Sequence, residues 1–278
     1  MGTCSSKHYN YKNAICVETL TVDGRALLER CIAPHRYMDC MSSTIIRKII
    51  PRYSIRYEKE FISVLHKIRL NNPRYVSRVL HVERTSDSIH VYLPDYGSTD
   101  LFSLVSKIST ILPVSQFCDQ CTSILITLAR AINNLHQLRI VHGDIKMENV
   151  MYYKDNPVLI DFDGAAILPC RNKVHLAATF EYSSPERIQH GKIRFANDVW
   201  SFGVTMFACF EGRVPFSRNQ IRTFNITDTV DIEFMYTPEW IQPIIRKILK
   251  VDYKQRPTMG EIIHHLSCFQ NIEPLCNA

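Results

Sequence analysis

Hydrophobic and polar positions follow two different periods along this chain. Between residues 21 and 93 the apolar runs are short and β-branched. TIIRKII (44–50) reads as a strand ended by Pro51, and SIHVYL (88–93) as another. One helical pattern interrupts them: EKEFISVLHKI (58–68) sets Phe61, Leu65 and Ile68 at helical spacing, with Glu60 and Val64 sharing a neighbouring face. Further on the period turns helical. CTSILITLARAINNLHQL (121–138) repeats apolar residues at 121, 125, 128, 132 and 135, which predicts an amphipathic helix. VWSFGVTMFACF (199–210) is apolar nearly all round and predicts a buried helix, and WIQPIIRKIL and MGEIIHHL predict two more. A β-rich part followed by a larger helical part is an α+β plan. The expected division is a polar extension over 1–20, a small lobe over 21–94 and a large lobe over 95–278.

Composition narrows this little. The chain has 278 residues, 46% hydrophobic and 22% charged, enough apolar material for a sizeable core. The net charge of +6 suits an anionic ligand or a membrane surface, and no nucleic-acid partner is predicted. No run of eighteen apolar residues occurs, so no spanning helix is expected. Ten cysteines lack paired spacing, and MGTCSSKHYN lacks the apolar run of a secretory leader. The expectation is reduced thiols in a cytoplasmic monomer. Cys118 and Cys121 form a CxxC, but in helical surroundings and with no second pair to complete a zinc site.

The chemistry concentrates in VHGDIKMENVMYY (141–153) and PVLIDFDG (157–164). Asp144, Lys146 and Asn149 fall within six residues, Asp161 follows twelve later, and VMYY with PVLI reads as a hairpin between them. This resembles the catalytic core of the eukaryotic protein kinases, with its H-R-D-x-K-x-x-N loop ahead of D-F-G. ATFEYSSPE (178–186), NDVWSFGV (197–204), GRVPF (212–216) and VDYKQRPT (251–258) match further segments in order, so the resemblance covers roughly residues 20 to 270. It implies a bilobal protein kinase fold and transfer of the γ-phosphate of ATP to Ser or Thr of proteins. Asp144 would accept or orient the substrate hydroxyl proton, and Lys146 would neutralise the moving phosphate. Asn149 and Asp161 would hold Mg²⁺ as hard oxygen ligands. Lys146 and Thr179 match the Ser/Thr form of the family. Ile46, Asp95, Gly97 and Met151 fall where nucleotide contacts are expected. The resemblance also implies a Glu186–Arg256 ion pair, and an Asp198 that holds the backbone of the catalytic loop.

Four departures bear on activity. The phosphate-covering G-x-G-x-x-G is reduced to Gly24 in LTVDGRALLERC, which restricts close backbone approach to phosphate. The phosphate-binding cation is Lys48 or Arg47, which strand alternation places on opposite faces. Lys48 is favoured because a flexible ammonium suits a bridge to Glu60, with Glu58 the alternative partner. Asp163 replaces the glycine of D-F-G at a position where unusual φ is expected, and Asp tolerates it. Gly143 stands where many relatives carry an arginine that receives a phosphate, and residues 164–178 contain no Ser, Thr or Tyr. The expectation is a kinase independent of activation-segment phosphorylation. A pseudokinase that binds a partner or nucleotide without turnover is the alternative. TFEYSSPE, similar to a protein-substrate docking segment, disfavours a small-molecule phosphotransferase.

VYLPDYGSTDLFSLV (91–105) and DFDGAA (161–166) resemble the Ser/Thr kinases of the alphaherpesvirus short unique region, which implies a host-cell location and basic-directed substrates. Glu148 and Asp100 occupy positions that attract substrate arginine in such enzymes, whereas a third acidic position is Ala208. Asp100 also fits a helix N-cap. Pro94 stands at the entrance to the adenine-binding strand. MGTCSS fits the N-myristoylation pattern at Gly2, with Ser6 in place and Cys4 available for a palmitate. Two acyl chains would support membrane association.

Overall fold

Strand β1 (Ile15–Val22) opens a five-stranded antiparallel sheet completed by β2 (Leu27–Ile32), β3 (Thr44–Pro51), β4 (His81–Arg84) and β5 (Ser88–Pro94), in the order β1-β2-β3-β5-β4. The computed structural model describes residues 14–22, 26–32, 44–55, 57–170 and 179–270. TIIRKII thus forms the central strand it predicts, and the strand runs through Pro51 itself. β1 lies largely inside the stretch expected as an extension, so the polar start ends by Ile15. ICVETLTV is polar enough to escape a search for apolar runs, yet six of its residues pair with β2.

Register sorts the side chains of β3. Lys48 stands opposite Val91 and Ile50 opposite Ile89, while Arg47 stands opposite Tyr92 and Glu29. Cys31, Ile45, Leu80, Tyr92 and Ala14 form a buried cluster. Helix α1 (Glu58–Asn71) adds Val64, Leu65 and Ile68 to the interior beside β4. Each such aliphatic side chain contributes about 1.5–3 kcal/mol on burial.

These elements make one unit, the described residues up to Asn72 with Ser77–Asp95; Pro73–Val76 and the described residues from Tyr96 on make a second. Asp95 therefore belongs with the strands, one residue beyond the expected boundary. The second unit is built on α2 (Leu101–Ile111), α3 (Val114–Gln137), α4 (Pro185–His190), α5 (Phe195–Glu211), α6 (Arg218–Thr223), α7 (Gln242–Ile248) and α8 (Met259–Gln270). α3 starts seven residues before the predicted Cys121, because Pro113 precedes it and Phe117 extends the apolar face. Cys118 and Cys121 both lie within it, neither of them in a disulfide, and burial pushes the Cys121 thiol up to about 12.

α5 is the axis of this unit. Every residue from Asn197 to Glu211 is buried, as its all-round apolar pattern predicts. Gly203 permits this: a Cβ there would lie 2.3 Å from Ile248 Cγ2, so α7 packs directly on the α5 backbone. Two short ladders complete the unit. β6 (Ile140–Val141) pairs with β9 (Ala166–Ile167), and β7 (Val150–Tyr153) with β8 (Asn156–Leu159). The β7–β8 hairpin is the one expected, turned by Lys154 and Asp155 at φ 47 and 61. No described helix is long and apolar enough to cross a membrane.

Candidate active site

Residues 142–149 leave β6 as an irregular loop, and a carboxylate beneath them fixes its course. Asp198, fully buried in the first turn of α5, accepts from the backbone N–H of His142 and of Gly143, both at 2.8 Å, and lies 2.9 Å from His136 Nε2. Burial alone would raise its pKa, but the His136 ring and these amides outweigh it and hold the carboxyl below its ordinary value. Asp198 thus does what the kinase resemblance implies. His136, on the last turn of α3, carried no signal except its place at a predicted helix end.

Gly143 has φ 80, and a Cβ there would lie 2.2 Å from the Gly164 carbonyl oxygen. An arginine at this position is therefore excluded by backbone, not merely absent. A different arginine serves the loop. Arg187, in α4, donates to the Gly143 carbonyl from a buried position. Burial lowers its pKa, opposed by the charges of Asp198, Asp144 and Glu186. The sequence reading missed Arg187; its one signal was a charge inside SSPERI, directly after Glu186.

The loop then delivers three side chains to one place, where Thr179 meets them from a later segment. Asn149 Nδ2 donates to the Asp144 carbonyl at 2.8 Å and to Asp144 Oδ2 at 3.0 Å. Thr179 N–H donates to Asp144 Oδ1 at 2.8 Å. Lys146 Nζ donates to Thr179 Oγ1 at 2.8 Å and lies 3.5 Å from Asp144 Oδ2. Asp144 and Lys146 are part-buried, so the carboxylate is oriented and still reachable. With its amide nitrogen engaged by Asp144, Asn149 presents Oδ1 as a hard oxygen donor.

Asp161 follows β8 and is bound into the same framework. Ile160 N–H donates to the Asn149 carbonyl at 2.9 Å, and His142 Nε2 lies 3.0 Å from the Ile160 carbonyl. Phe162 is buried edge-on to the His142 ring. The left-handed residue of Asp161-Phe162-Asp163 is Asp161, at φ 64. This corrects the expectation for Asp163, whose φ is not positive; its N–H instead reaches Asp161 Oδ1 at 3.3 Å. Aspartate is among the non-glycine residues that adopt this conformation most readily.

Glu186 and Arg256 form the implied bidentate pair, 2.9 Å on both arms, and Asn197 Nδ2 adds a third contact to Glu186. Glu148 is exposed on the loop. Asp100 caps α2, its Oδ1 accepting from Ser103 N–H at 2.7 Å. Met151 stands opposite Val158 in the hairpin, and Gly97 has φ 84.

In the first unit, Arg47 is engaged by Glu29 at 2.5 Å, and Glu58 by both Arg52 and Arg84. The Asp95 carboxylate accepts from Arg30 Nε and Thr44 Oγ1, both at 2.8 Å, tying β2 and β3 to the end of β5. Lys48 and Ile46 share the other face of β3, and Glu60 lies in the first turn of α1. Gly2, Cys4 and Gly24 lie outside the described residues.

The α+β chain thus brings Asp144, Lys146, Asn149 and Thr179 together, the grouping that the kinase resemblance implies. A family model for the protein kinase domain matches residues 41–267, and the chain belongs to that family. It is similar to the calcium/calmodulin-dependent protein kinase cmkA of Emericella nidulans, 29% identical over 83% of this chain and 58% of that protein. It is also similar to the serine/threonine-protein kinase ppk16 of Schizosaccharomyces pombe, 28% identical over 78% of the chain and 33% of that protein. The serine/threonine-protein kinase PKH2 of Saccharomyces cerevisiae is 27% identical over 77% of the chain and 21% of that protein. The chain thus spans between about a fifth and three fifths of the length of these relatives. The likeness to the alphaherpesvirus enzymes rests on its short motifs alone.

Proposed function

We propose that this chain is an active protein Ser/Thr kinase that transfers the γ-phosphate of ATP to protein hydroxyls. The observation that carries the reading is the convergence of Asp144, Lys146, Asn149 and Thr179 through contacts of 2.8 to 3.5 Å. Phosphoryl transfer needs positioning and charge neutralisation more than covalent help, and these side chains supply both. Asp144 accepts the proton of the substrate hydroxyl and orients its oxygen. Lys146, steered by Thr179, places its ammonium beside that carboxylate, where negative charge accumulates on the moving phosphoryl group. Asn149 and Asp161 offer the oxygens that would hold Mg²⁺, and their hard-donor chemistry fits that ion. Mg²⁺ would neutralise phosphate charge when bound.

In the first unit, Lys48 serves as the phosphate-binding cation and Glu60 as its partner, with Ile46 beside the nucleotide base. The engagement of Arg47 by Glu29, and of Glu58 by two arginines, supports this choice. The steric exclusion of a side chain at Gly143 and the hydroxyl-free segment 164–178 support activity without activation-segment phosphorylation. Acylation at Gly2 and Cys4 would hold the chain at a membrane, and label incorporation from radioactive myristate, lost in Gly2→Ala, tests it.

The kinase reading is tested with radiolabelled Mg-ATP and a mixed protein acceptor. Wild type is expected to label Ser and Thr, and Asp144→Asn and Asp161→Asn to abolish labelling while remaining folded, asparagine being tolerated at the left-handed φ of 64 that Asp161 adopts. Stabilisation by ATP with no label transferred would replace this reading with the pseudokinase one.

A further inference from the structure

We propose that Cys16, Glu29 and Cys31 form a binding site for a thiophilic divalent metal ion, with Zn²⁺ the fitting case. The inference concerns the first unit alone and stands apart from the kinase reading. Register builds the cluster. Cys16 of β1 stands directly opposite Cys31 of β2, and Glu29 lies two positions before Cys31, so strand alternation puts all three on one face. The two sulfurs and a carboxylate oxygen lie within 4.8 Å of one another. Zinc–sulfur bonds of about 2.3 Å and zinc–oxygen bonds of about 2.0–2.2 Å hold tetrahedral ligands roughly 3.5–3.8 Å apart, so closing on an ion takes about an ångström of side-chain movement.

The surroundings suit an ion. Cys31 is fully buried among Ala14, Ile45, Leu80 and Tyr92, Glu29 is part-buried and Cys16 is exposed, so the cluster has a fixed floor and an open entrance. Glu29 is held by Arg47, whose Nε and Nη2 both reach Oε2, at 2.6 and 2.5 Å. Oε1 can therefore take an ion without loss of that pair, and the guanidinium orients the carboxylate as outer partners of metal ligands do. Two thiolates, one carboxylate, one guanidinium and a divalent ion sum to zero charge, which favours a part-buried site. On binding, the two thiol protons leave for solvent, so affinity rises with pH.

The donors select the ion. Sulfur ligands favour Zn²⁺ over Mg²⁺ and Ca²⁺, which take oxygen, so this site does not compete for the Mg²⁺ expected at Asn149 and Asp161. Three protein ligands leave the fourth tetrahedral position to water, as the exposure of Cys16 allows. β1 is an edge strand, and its pairing with β2 shifts register just after Cys16 and again after Thr19. An ion shared by Cys16 and Cys31 fixes β1 to β2 where the ladder is irregular, and it stabilises the folded unit by binding that state alone.

The test uses the full chain, purified with a phosphine reductant and stripped of metal. It is titrated with Zn²⁺ against a chromophoric chelator, and with Co²⁺ as a spectroscopic substitute. One equivalent of Zn²⁺ is expected to bind, to raise the melting temperature and to resist displacement by excess Mg²⁺, and the Co²⁺ form to show a thiolate-to-cobalt charge-transfer band. Cys16→Ala, at an exposed position, should lower the Zn²⁺ affinity at least about a hundredfold, beyond the loss that an outer partner causes, and abolish the band. Glu29→Gln should weaken binding while keeping the band. Cys268→Ala, another exposed cysteine, should leave both unchanged. Absence of the band in wild type, or a Zn²⁺ affinity the same in Cys16→Ala as in wild type, overturns the proposal. So does peptide mapping that finds a Cys16–Cys31 disulfide formed as readily with Zn²⁺ as without it, because that assigns the pair to redox chemistry. Every readout is independent of phosphate transfer, so failure here leaves the kinase reading standing, and an inactive enzyme leaves this site standing.

Discussion

Replacing Gly143 by alanine tests whether the backbone under the catalytic loop is as constrained as its geometry indicates. Two effects add. At φ 80 an alanine carries the left-handed penalty of about 1–2 kcal/mol that glycine avoids. Its Cβ would also lie 2.2 Å from the Gly164 carbonyl oxygen, more than an ångström inside ordinary contact, and overpacking of this kind costs about 1–3 kcal/mol. Together these remove roughly 3 kcal/mol. For a chain of this size that lowers the melting temperature by about 6–12 °C, read by circular dichroism. Relief of the clash displaces the Gly143 N–H from Asp198 and moves the adjacent Asp144. A shift of about 1 Å at a reacting group lowers the transfer rate about a hundredfold. Combining Gly143→Ala with Arg187→Met should not restore stability, because the obstructing atom belongs to backbone. A Gly143→Ala protein melting within about 2 °C of wild type would refute the argument.

Arg256→Ala is expected to destabilise the second unit by about 3–5 kcal/mol, since it strands the buried Glu186 carboxylate; a chemical melt showing less than about 1 kcal/mol contradicts this. Gly203→Ala should destabilise through its overlap with Ile248, and Ile248→Ala should relieve part of that loss, a coupling that a double-mutant cycle measures. Burial opposes the charge of Glu211, but its bonds to Thr237, Tyr236 and Met235 prevail and hold its folded pKa below the ordinary value. Its contribution is therefore complete above the unfolded carboxylate pKa of about 4.3, and is lost as pH falls through the lower folded value. Stability measured against pH should show a shallower acid limb in Glu211→Gln, and an unchanged limb would exclude the assignment.

Much of the fold was legible because its long elements carry strong periods. TIIRKII, the α1 pattern and the apolar α5 segment each formed where their spacing indicated, since the packing of one face or all faces imposes that spacing. β1 was not legible. ICVETLTV alternates weakly, and its strand depends on pairing with β2. The start of α3 escaped for a related reason, because Phe117 counts as core only once Phe210 is known to pack against it.

The residue types and short-range spacing of Asp144, Lys146, Asn149 and Asp161 are properties of the chain itself, and they were enough to indicate the chemistry class and family. Local sequence carries them because neighbouring residues on one loop cannot separate far in space. Tertiary structure decided the rest. It engaged Arg47 with Glu29 and left Lys48 on the other face of β3. It moved the left-handed backbone to Asp161, and it brought Arg187 to the Gly143 carbonyl across forty-four positions. Those outcomes depend on which distant groups compete for the same space and the same hydrogen bonds, and that competition exists only once the chain has folded.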